Sequence, residues 1–472
     1  MVYLSRILDI GSSVVISRAL NGEIMPKKAT NTKKGSNKNK KVRVAHEMSE
    51  ERKKAIKDAM KTKKTPKPEW DRINAPLDYK FNRKKIKPGE IRTIKLDLLK
   101  VSIGDSWPTS VCILHGKRPG PVVTITGAIH GDELTGPSVC SHLLSETLTC
   151  KGGPLDPDKI AGTIRIVPVL NPPGFSSNSR YLPDGRDMNR EFPGRRTGNT
   201  TQRVAYRVYH SLIKDTDYII DLHSAAKGRS NMPQVRADLT HSASQRLAKS
   251  FGLEVILDSK PPKGSLRRAS NNLDIGAITY EGGGASTLDH GAVQVAVNGV
   301  INSLKTLHVI PGTPNRPRFR LLASGSTWLR AHEGGLLDML VGPGSFVEKG
   351  DVVATITDPQ MPGKSIELGS PITGLFICAA THPFVTAGTP VGHILPITKF
   401  KELILNQCDE KSILIVNGSR GTPVWREESD VDEISIEGEW SGGSVDSEWQ
   451  KNWSESSEEL SNSGVAAEEE ED

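Results

Sequence analysis

Paired cysteines are missing from this chain. Its 472 residues include five cysteines (Cys112, Cys140, Cys150, Cys378 and Cys408), an odd number with no CxxC spacing. That pattern argues against a disulfide framework and against a thiolate zinc site. A reducing compartment, the cytoplasm, fits it best. Nowhere does the sequence run for about 18 apolar residues, the length a membrane-crossing helix needs, so no membrane partner is expected. The first residues are interrupted by Arg6, Asp9, Arg18 and Glu23. With no clean apolar stretch, a secretory signal is not indicated. Met1 and Met25 are both candidate starts of translation, which leaves residues 1–24 a leader of uncertain status. There is no GxSxG, hence no sign of a nucleophile elbow. The Gly-Lys-Ser at 363–365 is not a phosphate loop, because Asp358 stands where the first glycine is required.

Apolar residues are also scarce, at 36%, which implies that part of the length does not fold. The charge shows which parts. Residues 26–70 carry 16 Lys/Arg against 5 Asp/Glu, while residues 427–472 carry 17 acids against one lysine. These read as solvated tails of opposite sign. Residues 25–89 are assigned as a basic, mostly disordered segment and 425–472 as an acidic disordered tail. Nucleic acid or another polyanion is the lesser reading of the basic segment, because no aromatic residues are interleaved with its lysines. A self-association of the chain is compatible with the sequence but not indicated by it.

Between the tails the pattern changes. Over residues 90–312, short Val/Ile/Thr-rich runs such as PVVTITGAI, GTIRIVPVL, DYIIDL, LEVILD and IGAITYE alternate with helical segments such as TQRVAYRVYHSLIKD. Nearly continuous apolar runs suit strands buried on both faces, so the region reads as an α/β domain with parallel stretches. Over residues 316–397 the helical signals vanish, and short runs are separated by Gly/Pro turns. That is the signature of a small all-β domain.

Chemistry-bearing residues gather at the ends of the predicted strands, where ligands of open α/β sheets bind. His130 and Glu133 follow one strand, His223 ends a second and Glu281 ends a third, before three glycines. Two imidazoles and a carboxylate are one of the ligand sets of a catalytic zinc ion. Asp221 precedes His223 by two residues and shares its face, where it could orient the ring. A carboxylate such as Glu281 beside the metal suits a general acid/base. The loop from Asn171 to Gly194 carries Arg180, Arg186, Asn189 and Arg190. Guanidinium groups there could grip a carboxylate or stabilise an oxyanion.

GAIHGDE, SRYLPDGRDMNREFPG, DLHS and TYEGGG, in this order, resemble the succinylglutamate desuccinylase/aspartoacylase family of the zinc carboxypeptidase clan. The resemblance spans about residues 95 to 310. It implies a carboxypeptidase-like mixed sheet with helices on both faces and one Zn²⁺ held by His130, Glu133 and His223. By the same resemblance Glu281 is the general base and acid, Arg180 polarises the scissile carbonyl, and Asn189 with Arg190 holds a substrate carboxylate. The tract GRSNMPQVRADL adds Arg229, Asn231 and Arg236 as pocket residues. Residues 316–397 resemble a barrel-sandwich of the biotinyl/lipoyl type, although Lys364 lacks the acidic neighbours of a modified lysine. The implied activity is hydrolysis of the amide bond of a small anionic N-acyl amino acid. The rivals are a peptidase that trims acidic residues and a non-catalytic scaffold with charged binding tails.

Overall fold

The computed structural model describes residues 78–361, 363–397, 401–416 and 431–436. The basic stretch before residue 78 and the tail tryptophans Trp440, Trp449 and Trp453 lie outside those residues.

The apolar runs form strands, as their composition dictates. A hairpin of β1 (Tyr79–Phe81) and β2 (Lys84–Ile86) precedes the long pair β3 (Glu90–Ser102) and β4 (Asp105–His115). Next come β5 (Arg118–Gly127), α1 (Thr135–Leu143), β6 (Ala161–Val167), α2 (Thr200–Val208) and β7 (Tyr218–His223). The domain continues through β8 (Arg229–Ala237), α3 (Ser242–Phe251), β9 (Val255–Asp258), α4 (Leu266–Asn271), β10 (Gly276–Gly284) and α5 (His290–Thr306). Strands β6, β5, β7 and β10 lie side by side and parallel at the centre, flanked by antiparallel β4–β3 and β8. Each strand sends alternate residues to opposite faces. Ile220 and Ile278 pack against α1, α3 and α5, whereas Ile219 and Ala277 pack against α2 and α4. The mixed sheet therefore has helices on both faces.

The strands β11 (Phe319–Ala323), β12 (Thr327–Arg330), β13 (Gly335–Met339), β14 (Phe346–Val347), β15 (Val352–Thr357) and β16 (Ser365–Gly369) follow. Then come β17 (Gly374–Ala380), β18 (Phe384–Val385), β19 (Pro390–Pro396) and β20 (Asp432–Ile436). Strands β16-β15-β13-β18 form a separate four-stranded sheet that packs on β17 and β19 around Val353, Phe376 and Ile394. This small β part is joined to the large sheet by direct strand pairing. The sheet forks at β8: residues 229–231 pair with β17 and residues 235–237 pair with β9. Pro233 stands between the two halves and has no N–H for a ladder, which suits the switch of partner.

Three segments depart from the sequence reading. The β1–β2 hairpin falls inside the stretch 25–89 read as mostly disordered. β11 falls inside the stretch assigned to the β domain, yet it pairs with β9 in the large sheet. β20 falls inside the acidic tail read as disordered, yet it is an edge strand on β11, with Val431, Ile434 and Ile436 buried. Its Glu433 Oε1 meets Lys249 Nζ at 2.6 Å and Arg320 NH1 at 2.8 Å. Burial opposes the charge on Glu433, but these two cations outweigh it and hold the carboxyl below its ordinary 4.5. A depressed folded pKa gives stability that is present above the ordinary value and lost as pH falls. Glu433→Gln should therefore cost about 1 kcal/mol at neutral pH, since the pair is partly open to solvent. In denaturant melts, the gap to wild type should close as pH falls below the ordinary 4.5.

Candidate active site

The central parallel strands point their carboxyl ends at one place. Beyond β5 the chain turns through Ala128, whose φ is 45°, into His130 and Glu133 just ahead of α1. Gly131 is required in this turn, because a Cβ there would overlap the Gly174 backbone. That close approach seats the loop 171–194 against the turn. His223 is the last residue of β7 and is in register with Glu281 on β10. Opposed residues of paired strands share a face, so Glu281 stands beside His223 on the face that also carries Asp221.

His130, Glu133 and His223 offer ligand atoms that all lie within 4.8 Å of one another. All three are buried, with Glu133 only 1% exposed. The Glu133 carboxylate is central: Oε1 is 2.7 Å from His130 Nδ1 and Oε2 is 2.9 Å from His223 Nδ1. The Ser224 backbone N–H donates to Oε2 at 3.1 Å. Each ring turns its other nitrogen to a second carboxylate, His130 Nε2 to Asp187 at 3.1 Å and His223 Nε2 to Asp221 at 2.8 Å. Thr126 Oγ1 holds Asp221 from behind at 2.7 Å. A carboxylate only accepts, so by this geometry both nitrogens of each ring donate, and a metal ion would take the place of the Nδ1 protons that face Glu133.

The charges support one another. Burial opposes a cationic His223, but Asp221 and Glu133 outweigh it and raise the ring well above its ordinary range. Burial and Arg180 oppose a cationic His130, yet Glu133 and Asp187 raise it. Glu133 is held well below the carboxylate range against its burial by both histidines. Asp187 is held down likewise by His130 and Arg180. Two imidazole nitrogens and an ionised carboxylate oxygen, with second partners behind each ring, form a donor set that suits a divalent cation of the zinc type.

The remaining expected residues fall around this centre. Arg180 reaches Glu133 Oε1 and Asp187 Oδ2, both at 3.1 Å. Asn189 accepts from the Leu266 N–H at 2.8 Å, which fixes its side chain. Arg190 donates to the Asn189 carbonyl at 2.9 Å and helps to hold Asp187 ionised. Arg186 instead turns outward toward Glu191, with its side chain 55% exposed. On β8, Asn231 Nδ2 donates to Glu281 Oε2 at 3.1 Å and Arg236 lies 3.6 Å from Glu281 Oε1. Asn231 therefore spends this donor on Glu281, a contact its reading as a pocket residue did not foresee. Side-chain exposure rises from 3% at His223 to 12% at Glu281 and 31% at Arg236, so the site opens on the β8 side.

Sequence reasoning missed several groups. Asp187 is the counterpart of Asp221 for the other histidine; the only signal was its place between Arg180 and Asn189. Arg267, buried on α4, has its pKa lowered to about 10 by burial and by Arg236, which places it in the same cationic cluster. Gln234, the register partner of Glu281, is fully buried and neither of its amide atoms is hydrogen-bonded. Leaving such a group unpaired is costly.

Residues 119–307 match the model of the succinylglutamate desuccinylase/aspartoacylase catalytic domain. The chain is 27% identical over 259 residues to the N-alpha-acetyl-L-2,4-diaminobutyric acid deacetylase of Halomonas elongata, which covers 52% of this chain and 72% of that protein. Its fold is similar to that of the product-bound ectoine utilization protein EutE (DoeB) of Ruegeria pomeroyi. The TM-score is 0.57 at 24% identity, over 65% of this chain and 94% of that one. A succinylglutamate desuccinylase/aspartoacylase of Rhodobacter sphaeroides matches with a TM-score of 0.58 at 22% identity, over 68% and 98% of the two chains.

Proposed function

We propose, from the premise that this chain belongs to the succinylglutamate desuccinylase/aspartoacylase family through its residues 119–307, that it is a zinc-dependent deacylase of N-acyl amino acids or related small acidic amides. The observation that carries this reading is the convergence of His130, Glu133 and His223 within 4.8 Å, with Glu281 in register beside His223. The five thiols are free, which supports a reducing, cytoplasmic setting. Among the described residues no helix is long and apolar enough to cross a membrane.

Zn²⁺ bound by His130, Glu133 and His223 would supply a Lewis acid and lower the pKa of water. Glu281 takes a proton from the attacking water as its oxygen bonds to the amide carbon. It then passes that proton to the departing nitrogen as the C–N bond breaks. The products are a carboxylic acid and an amine. Asn231 and Arg236 hold the Glu281 carboxylate in place for both transfers. Arg180, at the edge of the ligand cluster, supports the charge that develops on the carbonyl oxygen. Asn189 and Arg190 bind a substrate carboxylate and fix the amide over the centre. Arg229 and Arg236 on β8 offer donors that suit an acyl or side-chain oxygen.

Arg190→Ala should raise KM roughly 10- to 100-fold with a smaller change in kcat, the scale of a lost charge-assisted hydrogen bond. Steady-state kinetics on the preferred substrate checks it. The reading as a whole is tested with N-acetyl, N-succinyl and N-formyl amino acids, assayed with and without a chelator. Chelator-sensitive release of free amine from at least one of them is expected. Turnover confined to peptides with C-terminal acidic residues would replace it with the peptidase reading.

A further inference from the structure

A row of residues crosses the sheet from the small β part to the proposed base. Trp328 on β12 lies opposite His393 on β19, His393 opposite Cys378 on β17, and Cys378 opposite Asn231 on β8. Asn231 in turn donates to Glu281. Opposed residues project to one face, so the row brings groups from β12 and β19 to the open side of the site. There the Trp328 and His393 rings stack, with centroids 4.0 Å apart and planes 9° from parallel. His393 is 4% exposed, and its Nε2 is fastened to Ser326 Oγ. Burial, with Arg236 and Arg229 adding to it, pushes this ring well below the ordinary histidine range. It is therefore neutral at pH 7 and can sit beside cations. The Arg229 guanidinium carbon lies 5.6 Å from the centroid of the Trp328 ring, within cation–π reach.

Arg229 is the first residue of β8 and is 7% exposed, with a long side chain that needs a partner to fix its plane. A guanidinium binds a planar acceptor well only when its own plane is fixed. The Trp328 face, backed by His393, supplies that plane from outside the α/β scaffold.

We propose that Trp328 is a positioning residue: stacked on His393, it holds the Arg229 guanidinium at the mouth of the Glu281 pocket, so that the small β part tunes substrate binding. Its kinetic consequence rests on the reading of Arg229 as a substrate contact; its structural part does not.

The test uses the full chain and two readouts. In the first, an arginine-selective dicarbonyl, phenylglyoxal, labels the protein, and modification is read peptide by peptide. Trp328→Leu should raise labelling of Arg229 severalfold while Arg180 and Arg190 keep their wild-type rates. Trp328→Phe, which retains an aromatic face, should stay near wild type. Unchanged labelling of Arg229 in Trp328→Leu overturns the proposal. So does a rise at all three arginines in both variants, which would make Trp328 a packing residue only. The second readout is kinetic. Trp328→Leu should raise KM about tenfold, the scale of a desolvated cation–π contact, with kcat changed less than about twofold. The Trp328→Leu/Arg229→Ala double variant should be no worse than Arg229→Ala alone, because Trp328 acts through Arg229. Penalties that multiply would overturn the proposal. If the labelling follows expectation but no N-acyl amino acid is turned over, the positioning role stands and the deacylase reading falls.

Discussion

Glu281→Gln should lower kcat by roughly 10²- to 10⁴-fold, the usual contribution of a positioned acid/base, while metal content stays at the wild-type level. The amide keeps the volume of the carboxylate but can neither take a proton from water nor return one to the leaving nitrogen. The side chain is 12% exposed, is held by Asn231 and Arg236, and is not one of the three converging ligands. The fold and the metal should therefore be indifferent to the change. Parallel measurement of kcat and bound metal decides it. Full activity removes Glu281 from the mechanism, and loss of metal along with activity makes it part of the ligand shell instead.

His223→Ala should have the second large effect, acting on the metal itself. It removes one of two imidazole donors and leaves Glu133 and Asp221, each with a side chain only 2% exposed, without their shared partner. Bound metal should fall from about one ion per chain to near none after gel filtration, and turnover should fall with it. Asp221→Asn is the finer version. It keeps the shape behind the ring but removes the charge that fixes its tautomer, and should weaken metal affinity roughly 10- to 100-fold. Competition with a chromophoric chelator measures both. Wild-type metal content in His223→Ala would mean that the ion, if any, sits elsewhere.

The parts of the site that were legible in the sequence lie at the ends of buried strands. PVVTITGAI and DYIIDL are continuous apolar runs, so the first polar residues beyond or closing them, His130 and His223, mark where the chain reaches the site. Asp221 was legible because alternate residues of a strand share a face. Other parts were hidden for physical reasons. β8 carries Arg229, Asn231, Gln234 and Arg236 with Pro233 in its middle, so it lacks the composition of a strand. β20 is five residues long in acidic surroundings, and its burial depends on β11, more than 100 positions earlier. Trp328 and His393 belong to the small β part, and only the pairing of β17 with β8 brings them to the site. No local pattern encodes that register. The same pairing explains why the small β part and the α/β part, distinct in composition, share one sheet.

The most direct test of the account is to strip the wild-type chain of metal with a chelator and titrate zinc back while following hydrolysis of the best N-acyl amino acid. Activity should vanish on stripping, return in proportion to added zinc and level off at about one equivalent per chain. Undiminished hydrolysis by the stripped protein would contradict the assignment of His130, Glu133 and His223 as the centre of the reaction.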